Sequence, residues 1–151
     1  MSDFGQFDSA SSFFTADHRD CDSKWSLFEA AVEAGDDAKA GPLWAQFKAS
    51  MLRHFAFEED VLFPAFEAAT GMTQGPTAMM RLEHTQMRGL MAEMQAAADA
   101  GDFETVADHG DTLLMITAQH NLKEERMLYP MTDRTTDWAA VKAGLGSHPQ
   151  R

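Results

Sequence analysis

The stretch His54-Phe-Ala-Phe-Glu58-Glu59-Asp-Val-Leu62-Phe63-Pro64 returns 66 residues later as His120-Asn-Leu-Lys-Glu124-Glu125-Arg-Met-Leu128-Tyr129-Pro130. The same shift lays His18 on His84 and Ala34-Gly35-Asp36 on Ala100-Gly101-Asp102. Residues 18–64 and 84–130 align without a gap and agree at 11 of 47 positions. Average residue usage would give about 3 by chance. A period this long, present in only two copies, is not a solenoid. It reads as a duplicated helical hairpin, and hence as a bundle with pseudo-twofold symmetry.

Glycine and proline punctuate the rest of the chain. They leave helical runs over about 13–34, 41–64, 77–100 and 102–130, with a weaker signal over 137–143. Both Pro64 and Pro130 read as stops, since proline is not tolerated in a helix interior. Alternating steps of four and three mark one seam per run. The seams are Phe14, His18, Cys21, Trp25, Phe28, Val32; then Phe47, Met51, His54, Glu58, Val61; then Met80, His84, Met87, Met91, Met94, Ala98; then Leu113, Thr117, His120, Glu124, Met127. No strand-like alternation of useful length is visible. The expected fold is all-α: an antiparallel up-and-down four-helix bundle with a short C-terminal helix, one domain with its core over about 13–130.

The 151 residues are enough for one domain that holds a core without staples. With 24 acidic and 12 basic side chains the net charge is −12, which argues against nucleic acid and anionic membranes as partners. The N-terminus lacks a basic start followed by an apolar run. No run approaches the roughly 18 apolar residues of a membrane span. A cytoplasmic location is the expectation. Cys21 is the only cysteine, so neither an intrachain disulfide nor a thiolate zinc cluster is possible.

His54 and Glu58 lie four residues apart, as do His120 and Glu124, so each pair projects from one helix face. With His18 and His84 they fall on the apolar seams and point inward. Two carboxylates and four imidazoles in a dry interior are costly unless paired or bound to metal. Two divalent cations satisfy all six, and carboxylates shared between them would bring the cations close enough to bind one small molecule together.

These residues resemble the hemerythrin-like family, in the branch with a histidine–histidine–glutamate cation-binding domain. The likeness rests on Asp17-His18, His54-x-x-x-Glu58-Glu59 with Leu62-Phe63-Pro64, Glu83-His84, and His120-x-x-x-Glu124-Glu125 with Leu128-Tyr129-Pro130. The resemblance implies two iron ions, Fe2+ or Fe3+, joined by an oxo, hydroxo or water bridge. His18 and His54 would bind one, His84 and His120 the other, and Glu58 and Glu124 would bridge them. It also implies binding or activation of O2, peroxide or NO. Oxygen-carrying hemerythrins have a fifth histidine four residues after the third-helix histidine. Here that residue is Arg88, which cannot ligate because its guanidinium stays protonated. An open metal position favours chemistry over simple carriage. Asp22, the repeat partner of Arg88, could add a carboxylate ligand, pair with Arg88, or remain a surface charge.

Other residues admit two readings each. Cys21, one turn from His18, could tune the metals or simply fill the core. The 11 methionines read as gap-filling core or as an adaptable, oxidisable pocket. Glu59 and Glu125 point about 100° from the bridging positions, either orienting ligands from behind or facing solvent. His109 reads as structural, His148 as part of a polar tail, and Phe63 and Tyr129 as closing the bundle end. Three functions compete: a di-iron oxidoreductase with a separate electron donor, a carrier or sensor of oxygen or iron, and a bundle merely held together by zinc.

Overall fold

The computed structural model describes residues 4–151, so the first residues of the chain, on which the expectation of no leader partly rests, lie outside the described residues. Four long helices form two hairpins: α1 (Ala10–Glu33) packs on α2 (Asp37–Phe57), and α4 (Pro76–Asp99) on α5 (Phe103–Lys123). Two short helices, α3 (Phe63–Thr70) and α6 (Tyr129–Thr135), prolong α2 and α5. The short C-terminal helix is α7 (Trp138–Gly146). No strand occurs among the described residues, and none of their helices is long and apolar enough to cross a membrane.

The repeated Ala-Gly-Asp tripeptide builds both hairpin corners. Gly35 and Gly101 adopt left-handed φ of 69° and 73°, which glycine does without a steric penalty. Each corner then closes a Schellman motif: Asp36 N–H donates to Ala31 O (2.9 Å) and Gly35 N–H to Val32 O (3.0 Å), and Asp102 and Gly101 repeat the pattern on Ala97 and Ala98. Asp36 and Asp102 finally cap the next helix, accepting from the backbone N–H of Lys39 and Thr105, both at 3.2 Å. α2 therefore starts at Asp37, earlier than Gly41-Pro42, with Pro42 in its second turn.

Pro64 and Pro130 do not stop their helices. Each follows a single π-helical turn, Glu58–Leu62 or Glu124–Leu128, and then sits in the first turn of α3 or α6. The π turn bonds Phe63 N–H to Glu58 O and Tyr129 N–H to Glu124 O, five residues back. The next donor in that ladder would be the proline, which has none. At Pro64 the released Glu59 carbonyl accepts instead from Arg81 Nη1 at 3.2 Å. The extra residue also rotates the helix beyond it. Leu62 and Leu128 are buried, whereas Val61 is only half-buried and Met127 is 57% exposed. The two seams therefore end on Leu62 and Leu128, not on Val61 and Met127.

Two apolar clusters fill the bundle, one around Trp25, Phe28, Trp44, Phe47 and Met91, the other around Phe13, Phe57, Phe63, Phe66 and Leu128. On α1, Cys21 belongs to the first and Phe14 to the second, and His18 lies between them. The polar layer is thus sandwiched between two dry ones. α7 closes the second cluster with Val141 and Leu145.

Candidate metal centre

Each hairpin contributes one histidine from its first helix and a His–Glu pair from its second. His18, His54, His84 and His120 project from α1, α2, α4 and α5, and Glu58 and Glu124 open the two π turns. All six are buried. Their ligand atoms form two overlapping groups, each with all members within 4.8 Å of one another: His18, His54, Glu58, Glu124 and Glu58, His84, His120, Glu124. Both glutamates belong to both groups. Glu58 Oε1 lies 3.3 Å from His54 Nε2 and 3.1 Å from His84 Nε2. Glu124 Oε1 lies 3.1 Å from His18 Nε2 and 3.2 Å from His120 Nε2.

Every imidazole is held from behind by a carboxylate. Nδ1 of His18 meets Glu125 at 2.7 Å, that of His54 meets Asp17 at 2.8 Å, that of His84 meets Glu59 at 2.6 Å, and that of His120 meets Glu83 at 2.8 Å. An ionised carboxylate only accepts, so each Nδ1 carries its proton and donates, leaving each Nε2 lone pair aimed inward. The pattern crosses over. The acid before each first-helix histidine holds the other histidine of its own hairpin. The acid after each shared glutamate holds a histidine of the opposite hairpin. Cations anchor three of these acids in turn: Arg53 lies 3.7 Å from Asp17, Lys123 pairs with Glu83, and Arg88 forks onto Glu59 at 2.7 and 3.0 Å.

Donors are scarce inside this cage, where the Tyr129 hydroxyl donates toward the two glutamates. His54 Nε2, Glu58 Oε1 and Glu124 Oε2 are buried without a hydrogen-bond partner, although the first two lie within ion-pair reach of each other. Nε2 of His84 faces Nε2 of His120 at 3.2 Å, an arrangement of two lone pairs once both Nδ1 atoms are protonated. Without metal, only extra protons relieve it. Burial opposes charge on His54, but the Glu58 and Asp17 carboxylates raise its pKa well above the ordinary value. The same competition, won by hydrogen bonds to Glu58 and Glu59, raises His84. Hydrogen bonding to Glu124 and its charge lift His120 to about 9 against the same burial. Glu58 is held well below the usual carboxylate range, its burial outweighed by the facing His54. Imidazole nitrogens and carboxylate oxygens that converge unpaired fit two cations of the kind such donors bind.

The remaining sequence candidates fall around this cage. Asp22 is exposed and outside both ligand groups, and Arg88 pairs with Glu59 rather than with it. Glu59, fixed by the His84 ring, is within reach of Arg88 one turn further along α4. Arg88 also lies over the Phe55 ring at 5.2 Å. Glu59 and Glu125 do not simply face solvent. Hydrogen bonds from His84 and Arg88 hold Glu59 down at about 2 despite the opposing effect of its burial. Burial pushes the Cys21 thiol up to about 12, so it is neutral. His109 is in neither ligand group, and His148 meets Asp60 at 2.9 Å.

Beside His18 and His54 is a cavity of about 10 Å³, walled by Cys21, Met51, Thr117 and Asn121 among others, which is room for about one water-sized molecule. Asn121 is the repeat partner of Phe55, whose ring stacks on His84 with centroids 4.2 Å apart and planes at 25°. Phe55 thus covers His84, and it lines the cavity beside His18 and His54 together with Asn121.

Sequence reasoning missed the roles of Asp17, Glu83 and Tyr129. The first two were signalled, since an acid precedes both His18 and His84. Tyr129 is drawn into the cage by the π turn, with its hydroxyl 2.6 Å from Glu58 Oε2. Burial and the two glutamate charges raise its pKa well above the usual value.

The model of one protein family, the hemerythrin HHE cation binding domain, matches residues 9–132. No curated protein and no solved structure matches the chain.

Proposed function

The chain belongs to the hemerythrin HHE cation-binding family, and from that premise we propose that it is a di-iron protein that binds or activates O2, H2O2 or NO. His18 and His54 would hold one ion, His84 and His120 the other, with Glu58 and Glu124 shared. The observation that carries this reading is the overlap of the two ligand groups on both glutamates. Structural zinc sites are instead closed, four-coordinate and often rich in cysteine.

Two bound irons would supply Lewis acidity and electrons to a small oxidant. The protein's own part is positional. Asp17, Glu59, Glu83 and Glu125 fix the four rings before any metal arrives, which limits rearrangement on binding. The apolar clusters above and below keep bulk water out. The cavity beside His18 and His54 admits only a very small ligand, and its wall, which includes Asn121 at the repeat position of Phe55, makes that half the point of approach. Any turnover would draw on a separate electron donor, and the acidic surface suits neither nucleic acid nor an anionic membrane as partner. The cytoplasm is the compartment we assign.

Reversible carriage or sensing is the second reading, favoured by the apolar clusters on either side of the site, which restrict the access of protons and water that makes oxygen binding irreversible. Metal analysis after anaerobic Fe2+ loading, followed by spectra on adding and removing O2, tests both. Two irons per chain are expected. Oxidation in a single irreversible step supports the reactive centre, and a band that appears and vanishes supports carriage. Zinc alone, or no metal, overturns the di-iron reading.

A further inference from the structure

Tyr129 is the only tyrosine in the chain, and its repeat partner is Phe63. Each ring covers an imidazole in an equivalent place. Tyr129 stacks on His18 (centroids 5.6 Å, planes at 29°) and Phe63 on His84 (5.7 Å, 26°). The two halves therefore differ here by one hydroxyl.

That hydroxyl lies 2.6 Å from Glu58 Oε2, 3.0 Å from Glu124 Oε1 and 3.1 Å from His18 Nε2. A phenol has one proton to donate, and all three neighbours are acceptors when His18 is the neutral ligand whose Nδ1 donates to Glu125. At least two of the three contacts are therefore acceptor against acceptor in a fully buried place. The spacing has a simple meaning. Donors about 2.1 Å from one cation and at right angles to each other stand about 3.0 Å apart. The closest histidine–glutamate ligand-atom pairs are 3.1–3.3 Å apart, within groups whose members all lie within 4.8 Å of one another, and the Tyr129 oxygen stands 3.1 Å from His18 and 3.0 Å from Glu124. The oxygen occupies a further corner of the same coordination figure.

We propose, resting on the two-cation reading above, that Tyr129 binds as a phenolate and is a seventh protein ligand, to the ion held by His18 and His54. On binding, the O–H bond breaks, the proton leaves to solvent, and the oxygen donates its freed pair to the cation; no electron is transferred. The cavity is not walled by Tyr129, so the added ligand leaves it free. The duplicated site then holds two unlike ions, one with an anionic phenolate and one without.

The test uses the full chain loaded anaerobically with Fe2+ and then oxidised with ferricyanide. The expected result is a phenolate-to-iron(III) charge-transfer band whose resonance Raman spectrum carries tyrosine ring modes. Because Tyr129 is the only tyrosine, growth on ring-deuterated tyrosine must shift those modes, which needs no variant. Tyr129→Phe should lose the band and keep two irons per chain. Two irons without ring modes, or a band that survives in Tyr129→Phe, overturns the ligand assignment and leaves the di-iron site intact. Failure to bind iron at all overturns the underlying reading and this inference with it.

Discussion

Pairing each imidazole with its own carboxylate fixes the tautomer and the ring plane, and makes Nε2 a better donor. Asp17→Asn and Glu83→Gln keep the shape and remove the charge. Each should weaken metal binding on the order of 10–100-fold, read by competition with a chelator of known affinity. The same histidines set a pH dependence whose sign follows from linkage. His120 is raised from the usual 6.5 to about 9 in the metal-free protein, and His54 and His84 are raised too. Their protonation stabilises the metal-free fold fully below 6.5, and that contribution is lost as pH rises through about 9. Metal-free protein should therefore melt lower at pH 9.5 than at pH 7, while metal-loaded protein, whose imidazoles carry no second proton, lacks this loss. Protons and metal also compete, so apparent affinity should fall as pH drops below about 9. The convergence of the six inward side chains was legible in sequence because helical spacing and the 66-residue shift both point to it. The hydroxyl of Tyr129 was not, because five residues from Glu124 is the wrong face of a regular helix.

The π turns are the elements that sequence periodicity cannot show, since one inserted residue breaks the count without leaving a composition signal. They separate neighbours sharply: Leu128 is 1% exposed and Met127 57%. Leu128→Ala should cost about 2–5 kcal/mol, and Met127→Ala no more than about 0.5 kcal/mol, measured by denaturant unfolding of the metal-loaded chain. Equal costs would mean that the helix is regular there. The hairpin corners were legible from Ala-Gly-Asp alone, because the left-handed glycine and the aspartate cap are local chemistry. The packing of α1 on α5 was not. A Cβ on Gly110 would stand 2.1 Å from the Trp25 ring, although nothing near Gly110 in the sequence announces a tryptophan. Gly110→Ala should destabilise the bundle by about 1–3 kcal/mol, and Trp25→Leu in the same chain should recover part of that loss in Tm.

At the scale of the molecule, a charged layer lies between two apolar ones, and its ligands come from all four long helices. Metal binding is then folding energy shared by both hairpins. At a metal concentration 1,000 times Kd the stabilisation is about 4 kcal/mol per site, so chelation should lower Tm and broaden the unfolding transition. A Tm unchanged on chelation would mean that the cage does not hold the bundle. The bundle and its pseudo-twofold symmetry were readable from the repeat. Around the cage the symmetry is broken by exchanges such as Asn121 for Phe55, Tyr129 for Phe63 and Arg88 for Asp22, whose effects depend on neighbours brought in from the other hairpin. The most direct test of the central claim is anomalous diffraction at the iron edge from crystals of the iron-loaded protein. Two peaks should appear inside the bundle, one between His18 and His54 and one between His84 and His120, each in contact with both Glu58 and Glu124. A single peak, or iron only at the acidic surface, would contradict it.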